Sequence, residues 1–284
     1  MAVADEIKVY NEIVRSVAAY WDNPPETHAL LNGWQDWPRE RLLGMVQIQV
    51  KQQHPWTCGF PRWLGHIYGN CPDASVRRFL LEDLSDEEGS DDAAGDGHID
   101  LHRRLGHALG LSDADLDEGP FVPEVTAICL SMEHISLNRP WLEALACIMG
   151  TEVLTLARIP RLYPDMEEYD RRRAGVAPPA LLEIYRVLGL QTDDLAFYWA
   201  HDVNRLAIWE GREPDYANAG TEGRHQEAVI RTLTEHARTP DERRRVAEMV
   251  RLGHELFWMR WHGMARAMRE YVETGTSRYG PLPS

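Results

Sequence analysis

Apolar residues recur at the spacing of an α-helix along almost the whole chain, and the alternation typical of strands is nearly absent. Residues 5–21 show the pattern, because Ile7, Tyr10, Val14 and Val17 fall on one side of a helix. A chain of this kind buries its apolar faces by packing helix on helix. The sequence therefore predicts one all-α domain over residues 1–284, with its core at 38–272.

Prolines, glycines and capping residues divide this pattern into roughly ten segments. Asp73 is placed to cap a helix, Thr239 to start one, and Gly110 and Gly189 to end others. The stretch WTCGFP, at 56–61, is expected to connect two helices. The predicted helices cover 5–21, 38–54, 61–69, 74–88, 98–109, 121–136, 140–158, 180–189, 192–209, 222–237 and 240–272, and the tail 274–284 is expected to fray.

The composition and charge of the chain argue against some classes of binding partner. The formal net charge of -15 argues against nucleic acid, because phosphate binding needs a basic face. No apolar run approaches the roughly 18 residues of a membrane helix, and the N-terminus lacks the pattern of a signal peptide. The four cysteines form no CxxC pair, which fits a reducing compartment. We therefore expect a cytoplasmic protein that contacts neither nucleic acid nor membrane.

The segment 79–111 concentrates residues that bind metals. An apolar helical run leads to the carboxylate pair Glu87 and Glu88, a loop of small and acidic residues follows, and His98 opens the next helix. Redox iron favours carboxylate oxygens together with imidazole nitrogens, and a bundle supplies them from separate helices. The later positions that extend this set are Glu152, His201, Glu222 and His225.

Each of these residues also has a purely structural interpretation. Glu87 and Glu88 end a helix in an acidic chain, and Glu222 lies in a first helical turn, where the helix dipole favours it. His201 and Glu152 can be satisfied in the core by a hydrogen bond or an ion pair. The joint occurrence of these residues, with Glu222 one turn before a histidine on the same helix face, favours a metal site.

Other chemistries find less support in the sequence. No GxGxxG, Walker or GxSxG motif is present. His98 and His102 share a helix face without an HExxH motif, while His254 and His262 lie among aromatic residues typical of a core or a pocket wall. The Glu-x-x-His motif occurs once, whereas ferritin-like bundles need it on two helices.

The segments FLLEDLSDEEG and GHIDLHRRLGHALGL resemble the haem-oxygenase-like diiron oxidases and oxygenases, relatives of pyrroloquinoline quinone synthase and the thiaminase-II proteins. The resemblance covers most of residues 40–235. It implies a haem-oxygenase-like bundle of about seven core helices with additional short helices and no haem. It also implies two Fe(II) ions per chain, with O2 as co-substrate.

The resemblance carries over the first three metal ligands directly. Glu87 matches the family's first glutamate, and Glu88 is the alternative one residue later. His98 matches the first histidine, and Glu152 matches the glutamate of the middle helix.

The family's late His-x3-Asp-x2-His cluster is altered in this chain. His201 matches its first histidine, but position 205 is an arginine. Removing residues 205–221 restores the pattern with Glu222 and His225, so this segment is interpreted as an insertion or a lid. The other carboxylates that remain open for the aspartate position are Asp202 and Glu210.

The activity that the resemblance implies is that of an oxygen-dependent, non-haem iron oxidoreductase in natural-product biosynthesis. The substrate is expected to be a small amino-acid-derived or related molecule, changed by N-oxygenation, desaturation or carbon–carbon cleavage. Arg205 and Arg224 are candidates to bind a substrate carboxylate. A homodimer is the candidate assembly. The tryptophans expected to wall a pocket are Trp56, Trp63, Trp199 and Trp258.

Two alternatives stay open. One is a cofactor-free oxidase resembling pyrroloquinoline quinone synthase, which the altered late cluster favours and the Asp-Glu-Glu-Gly segment disfavours. The other is a non-enzymatic helical bundle that binds an apolar ligand. A thiaminase-like hydrolase is disfavoured because no cysteine follows Cys147.

Overall fold

The computed structural model describes residues 31, 33–89, 96–151, 179–201, 203–213 and 220–281, and within them every regular element is helical. The predicted all-α class is therefore confirmed. None of these helices is both long enough and apolar enough to cross a membrane. The α-helices are α1 (Arg39–Asn70), α2 (Ala74–Glu87), α3 (His98–Ala108), α4 (Asp113–Glu118), α5 (Pro123–Asn138), α6 (Trp141–Ile148), α7 (Pro179–Leu188), α8 (Ala196–His201), α9 (Val203–Trp209), α10 (Gly220–His236) and α11 (Pro240–Thr274), with 3-10 turns at Trp34–Asp36 and Asp193–Leu195.

Helix α1 is longer than the sequence predicts. It continues through Pro55 and Pro61, so the expected connector between two shorter helices is wrong. An interior proline lacks an amide donor and crowds the preceding turn, at a cost of about 3 kcal/mol. Trp56, Phe60 and Trp63 are buried around these prolines. Burial of each such ring contributes about 1.5–3 kcal/mol, which offsets the defect.

Helix boundaries follow local capping. The carboxylate of Asp73 accepts backbone N–H groups at the start of α2, and Thr239 with Glu242 forms a capping box at the start of α11. Ser112 and Asp115 form the same motif at α4, a helix that the sequence did not predict. Its six residues are too few to show a helical period.

The predicted helix 5–21 lies outside the described residues.

The core has two adjoining parts that share α1 and α11. The second half of α1 packs with α2, α5, α6, α10 and α11, while its first half packs with α3, α4, α7, α8 and α11. Helices α2, α3, α8 and α10 contact one another where these two parts meet. The predicted helix 192–209 contributes to this region as a 3-10 turn followed by α8 and α9.

The segment after α11 packs on the core. Tyr279 is buried, and the Nζ of Lys51 donates a 2.7 Å hydrogen bond to the carbonyl of Gly280. Lys51 is itself fully buried on α1, and a buried ammonium group needs an acceptor. The expectation of a frayed tail is therefore wrong for residues 275–281, because this segment supplies that acceptor.

Candidate functional site

One face of α2 changes from apolar to acidic along its length. Val76 and Leu80 are buried in the core, and Asp83 and Glu87 continue the same face at helical spacing, with exposed fractions of 1% and 7%. Glu88, the next residue, is exposed. Burial therefore favours Glu87 over Glu88 as the site residue and adds Asp83, which the sequence analysis did not predict.

A close approach of backbone segments places His98 beside this face. Gly89 has a φ of +106°, and a Cβ on Gly97 would lie 2.8 Å from the carbonyl oxygen of Glu87. Only a residue without a side chain fits there, so the start of α3 lies directly against the end of α2. As a result, the Nδ1 of His98 lies 3.0 Å from the Oε2 of Glu87.

Helix α8 brings His201 to the same junction. The ring centroids of His98 and His201 are 4.4 Å apart, with the planes tilted by 32°. The Nδ1 of His201 lies 2.7 Å from the carbonyl oxygen of Phe197, which can only accept a hydrogen bond. In the neutral ring the lone pair is then on Nε2. Metal-binding histidines are commonly oriented in this way, with the second nitrogen donating to a backbone carbonyl.

Helix α10 contributes His225, which contacts two carboxylates of α2. Its Nδ1 is 3.0 Å from the Oδ1 of Asp83, and its Nε2 is 3.2 Å from the Oδ2 of Asp86. The other oxygen of Asp83, Oδ2, is buried and has no hydrogen-bond partner among the described residues. The sequence analysis missed both aspartates. The position of Asp83, one turn before Glu87 on an otherwise apolar face, was the signal that could have indicated it.

The surroundings of Glu87 disfavour its ionised form. Burial, and after it the charge of Asp83, raise the pKa of Glu87 to about 8, although positive charge at His201 and His225 opposes the rise. A divalent cation would stabilise the ionised carboxylates in place of protons. Carboxylate oxygens and imidazole nitrogens are a donor set that fits iron, so these residues are compatible with the metal that the sequence implies.

In the part of the chain that the structure describes, no group of three or more His, Cys, Asp or Glu side chains is arranged to hold a metal ion. Glu210 is exposed and pairs with Arg212, with no described contact to the cluster. Of the other sequence-predicted residues, Glu152 and Asp202 lie outside the described residues, and so do the side chains of Arg205, Glu222 and Arg224.

The tryptophans expected to wall a pocket have packing contacts elsewhere. The rings of Trp56 and Trp63 meet edge to face in the core, with centroids 5.2 Å apart. Trp199 donates to a backbone carbonyl before α8, and Trp258 hydrogen-bonds to His262. These described contacts do not place a ring against the carboxylate–imidazole cluster. A role for Trp199 or Trp258 in substrate binding remains a prediction.

Comparison with known proteins adds independent information. The profile of a family described as an iron-containing redox enzyme matches residues 49–258. The chain is 31% identical over 94 residues to 4-aminobenzoate synthase from Chlamydia pneumoniae, a match that covers 33% of this chain and 39% of that protein. It is 30% identical over 179 residues to pyrroloquinoline-quinone synthase from Klebsiella pneumoniae (strain 342), covering 59% of this chain and 68% of that protein. The chain thus spans less than half the length of the first relative.

A solved structure resembles this chain over nearly its whole length. It is a domain of unknown function with a haem-oxygenase-like fold from Shewanella denitrificans OS217, with a TM-score of 0.61 and 15% sequence identity over 96% of both chains. At this identity the likeness shows the fold alone. The predicted haem-oxygenase-like bundle is confirmed.

Proposed function

The chain belongs to the iron-containing redox enzyme family, and on this premise we propose that it is an oxygen-dependent, non-haem diiron oxidase or oxygenase. The observation that carries the proposal is the buried carboxylate–imidazole cluster where α2, α3, α8 and α10 meet. Within it, Asp83 has a buried carboxylate oxygen without a hydrogen-bond partner among the described residues. Burying a hydrogen-bond acceptor without a partner costs free energy, unless a ligand supplies the missing interaction.

The proposed metal ligands come from several helices. Glu87, His98, His201 and His225 are held together at the junction, and Asp83 is an additional donor. Glu152 and Glu222 complete the set as predictions from the sequence. Bound Fe(II) would supply electrons and open coordination positions for O2, a chemistry that protein side chains lack.

The chain's own residues prepare this site in three ways. The pairs of Glu87 with His98, and of Asp83 with His225, hold the donors close together in a buried region. The carbonyl of Phe197 orients the ring of His201. The apolar core on both sides of the junction excludes water, which strengthens electrostatic interactions with bound charge.

The proposed substrate is a small amino-acid-derived molecule in natural-product biosynthesis. One relative, 4-aminobenzoate synthase, is named for a small aminocarboxylate, which supports this class. Arg205 and Arg224 remain candidates to bind the carboxylate, and the oxidation remains one of N-oxygenation, desaturation or carbon–carbon cleavage. A cytoplasmic homodimer completes the proposal.

Anaerobic titration with Fe(II), followed by measurement of O2 consumption with amino-acid pools, tests the proposal. We expect two irons per chain, and we expect the combined variant His98→Ala and His225→Ala to bind no iron and consume no O2. His107→Ala is the matched control, since this exposed histidine lies on the same helix as His98. Full O2 consumption in the combined variant would contradict the metal assignment.

A second candidate is a cofactor-free oxidase. One observation favours it: the chain covers more of pyrroloquinoline-quinone synthase than of 4-aminobenzoate synthase. The two candidates respond differently to an iron chelator. Substrate-dependent O2 consumption that persists after complete removal of iron would favour the cofactor-free oxidase.

A further inference from the structure

A second group of buried polar side chains adjoins the carboxylate–imidazole cluster. His102 lies one turn after His98 on α3, and it and His54 on α1 are each 1% exposed. The Nδ1 atoms of these two rings are 3.1 Å apart, and the Nε2 of His54 is 3.2 Å from the Oδ1 of Asp117. Two contacts between residues of three helices thus connect the core to Asp117, whose side chain is 45% exposed.

The contacts of His54 determine where the protons lie. An ionised carboxylate only accepts, so the Nε2 of His54 donates to Asp117. In a neutral ring its Nδ1 then accepts, so the proton between the two rings belongs to the Nδ1 of His102. The lone pair of His102 is therefore on Nε2. Arg103 supports these proton positions, because its 2.7 Å hydrogen bond to Asp117 lowers the pKa of that carboxyl group and so favours the ionised form.

A shared aromatic ring connects His102 with the proposed metal ligands. The centroid of Phe197 lies 4.8 Å from that of His102, 4.6 Å from that of His201 and 6.3 Å from that of His98. His98 and His102 also share the buried face of α3. His102 therefore packs on the same ring as two of the proposed ligands and is outside the proposed ligand set.

We propose that His102 accepts a proton from the bound substrate, with His54 and Asp117 as positioning residues. This inference rests on the proposed function, which supplies the substrate. The bond between the proton and the substrate breaks, its electron pair stays on the substrate, and the proton binds to the Nε2 of His102. The Nδ1 proton passes to the Nδ1 of His54, so the positive charge comes to lie beside the carboxylate of Asp117. Both shifts reverse when the Nε2 of His102 releases its proton to the product or to solvent, which restores the starting protonation.

The proton positions can be tested in metal-free protein by long-range ¹H–¹⁵N NMR of the imidazoles. We expect protons on the Nδ1 of His102 and the Nε2 of His54, and a changed pattern in Asp117→Asn, because an amide can donate to His54. The matched control is Cys58→Ala, since this thiol lies 3.3 Å from the same nitrogen of His54. A proton on the Nε2 of His102, or a change in Cys58→Ala but not in Asp117→Asn, would overturn the proposal.

Turnover of iron-loaded protein tests the role itself. His102→Gln should bind the same amount of iron but lower kcat by about 100-fold, with a larger solvent deuterium isotope effect and a nearly constant KM. The partly exposed Asp117→Asn should lower kcat by about 10-fold and provides the test if the core variant fails to fold. Wild-type kcat in Asp117→Asn, with an unchanged isotope effect, would contradict the role of the relay. Failure of wild-type protein to bind iron would instead overturn the proposed function and this role with it.

Discussion

Asp83 and Glu87 occupy positions on α2 that an amphipathic helix normally fills with apolar side chains. Burying a carboxylate carries a desolvation penalty, and a pairing histidine offsets only part of it. Acidic residues at helix positions that are normally apolar are typical of functional sites. At the scale of the residue, the desolvation penalty of these two carboxylates is therefore the clearest sign that the site binds a ligand.

Two variants measure the contribution of the Glu87–His98 pair in metal-free protein. Glu87→Leu alone should lower the free energy of unfolding by about 1–3 kcal/mol, because buried His98 loses its carboxylate partner. Adding His98→Leu should recover most of the loss, since both polar groups are then gone. Chemical denaturation gives the stabilities, and iron binding should be absent in both variants. A double variant less stable than Glu87→Leu would contradict this account.

His254 should make the stability depend on pH. Burial lowers its pKa from 6.5 to about 4, although the hydrogen bond with the carbonyl of Gly150 opposes this. Between these pH values the unfolded chain binds a proton that the folded chain does not, so the free energy of unfolding falls as pH falls, by up to about 3 kcal/mol.

Denaturation of wild type and His254→Gln at pH 7 and pH 4.5 isolates this contribution. The variant lacks the titrating group, so the stability advantage of wild type should shrink at the lower pH. An advantage that is the same at both pH values would show that His254 is not buried in its neutral form.

At the scale of the elements, the junction of α2 and α3 depends on Gly97, which has no side chain. A Cβ on Gly97 would lie 2.8 Å from the carbonyl oxygen of Glu87, so Gly97→Ala must move the two helix ends apart. We expect this variant to bind iron about 10-fold more weakly, because the geometry of a ligand pair is disturbed. Isothermal titration measures the affinity.

Gly65→Ala in α1 is the matched control for that substitution. A Cβ there would meet no atom within 4 Å. The control should leave iron affinity unchanged and stabilise the helix by about 0.5–1 kcal/mol. Equal iron affinities in Gly97→Ala and wild type would show that the close approach of α2 and α3 does not position the ligands.

The predicted insertion 205–221 begins as helix α9. The guanidinium group of Arg186 lies 4.5 Å from the ring of Trp209 and donates to the carbonyl of the same residue, and the ring of Trp209 packs on Trp199. If α9 belongs to a lid, Trp209→Ala should raise KM at least about 3-fold while iron binding stays constant. Steady-state kinetics provide the measurement. A lower Tm with unchanged KM would contradict the lid.

At the scale of the whole molecule, a metal would connect helices from both parts of the core. Binding to the folded state alone stabilises it by about 2.7 kcal/mol when the ion is at 100 times its Kd. Anaerobic thermal denaturation should therefore show a higher Tm with Fe(II). His225→Ala should lose this increase, because His225 links α10 to α2. An equal increase in that variant would place the bound iron elsewhere.

The sequence predicts Glu87, His98, His201 and His225 as metal ligands, which stays a prediction. What it determined by itself are the all-α class and most helix boundaries. These depend on the period of a helix and on local capping, both of which can be read along the chain. Only the tertiary structure decided that α1 continues through two prolines, that Asp83 joins the site, and that His54 meets His102. The physical reason is that these outcomes depend on packing between helices far apart in sequence, where burial outweighs local preference.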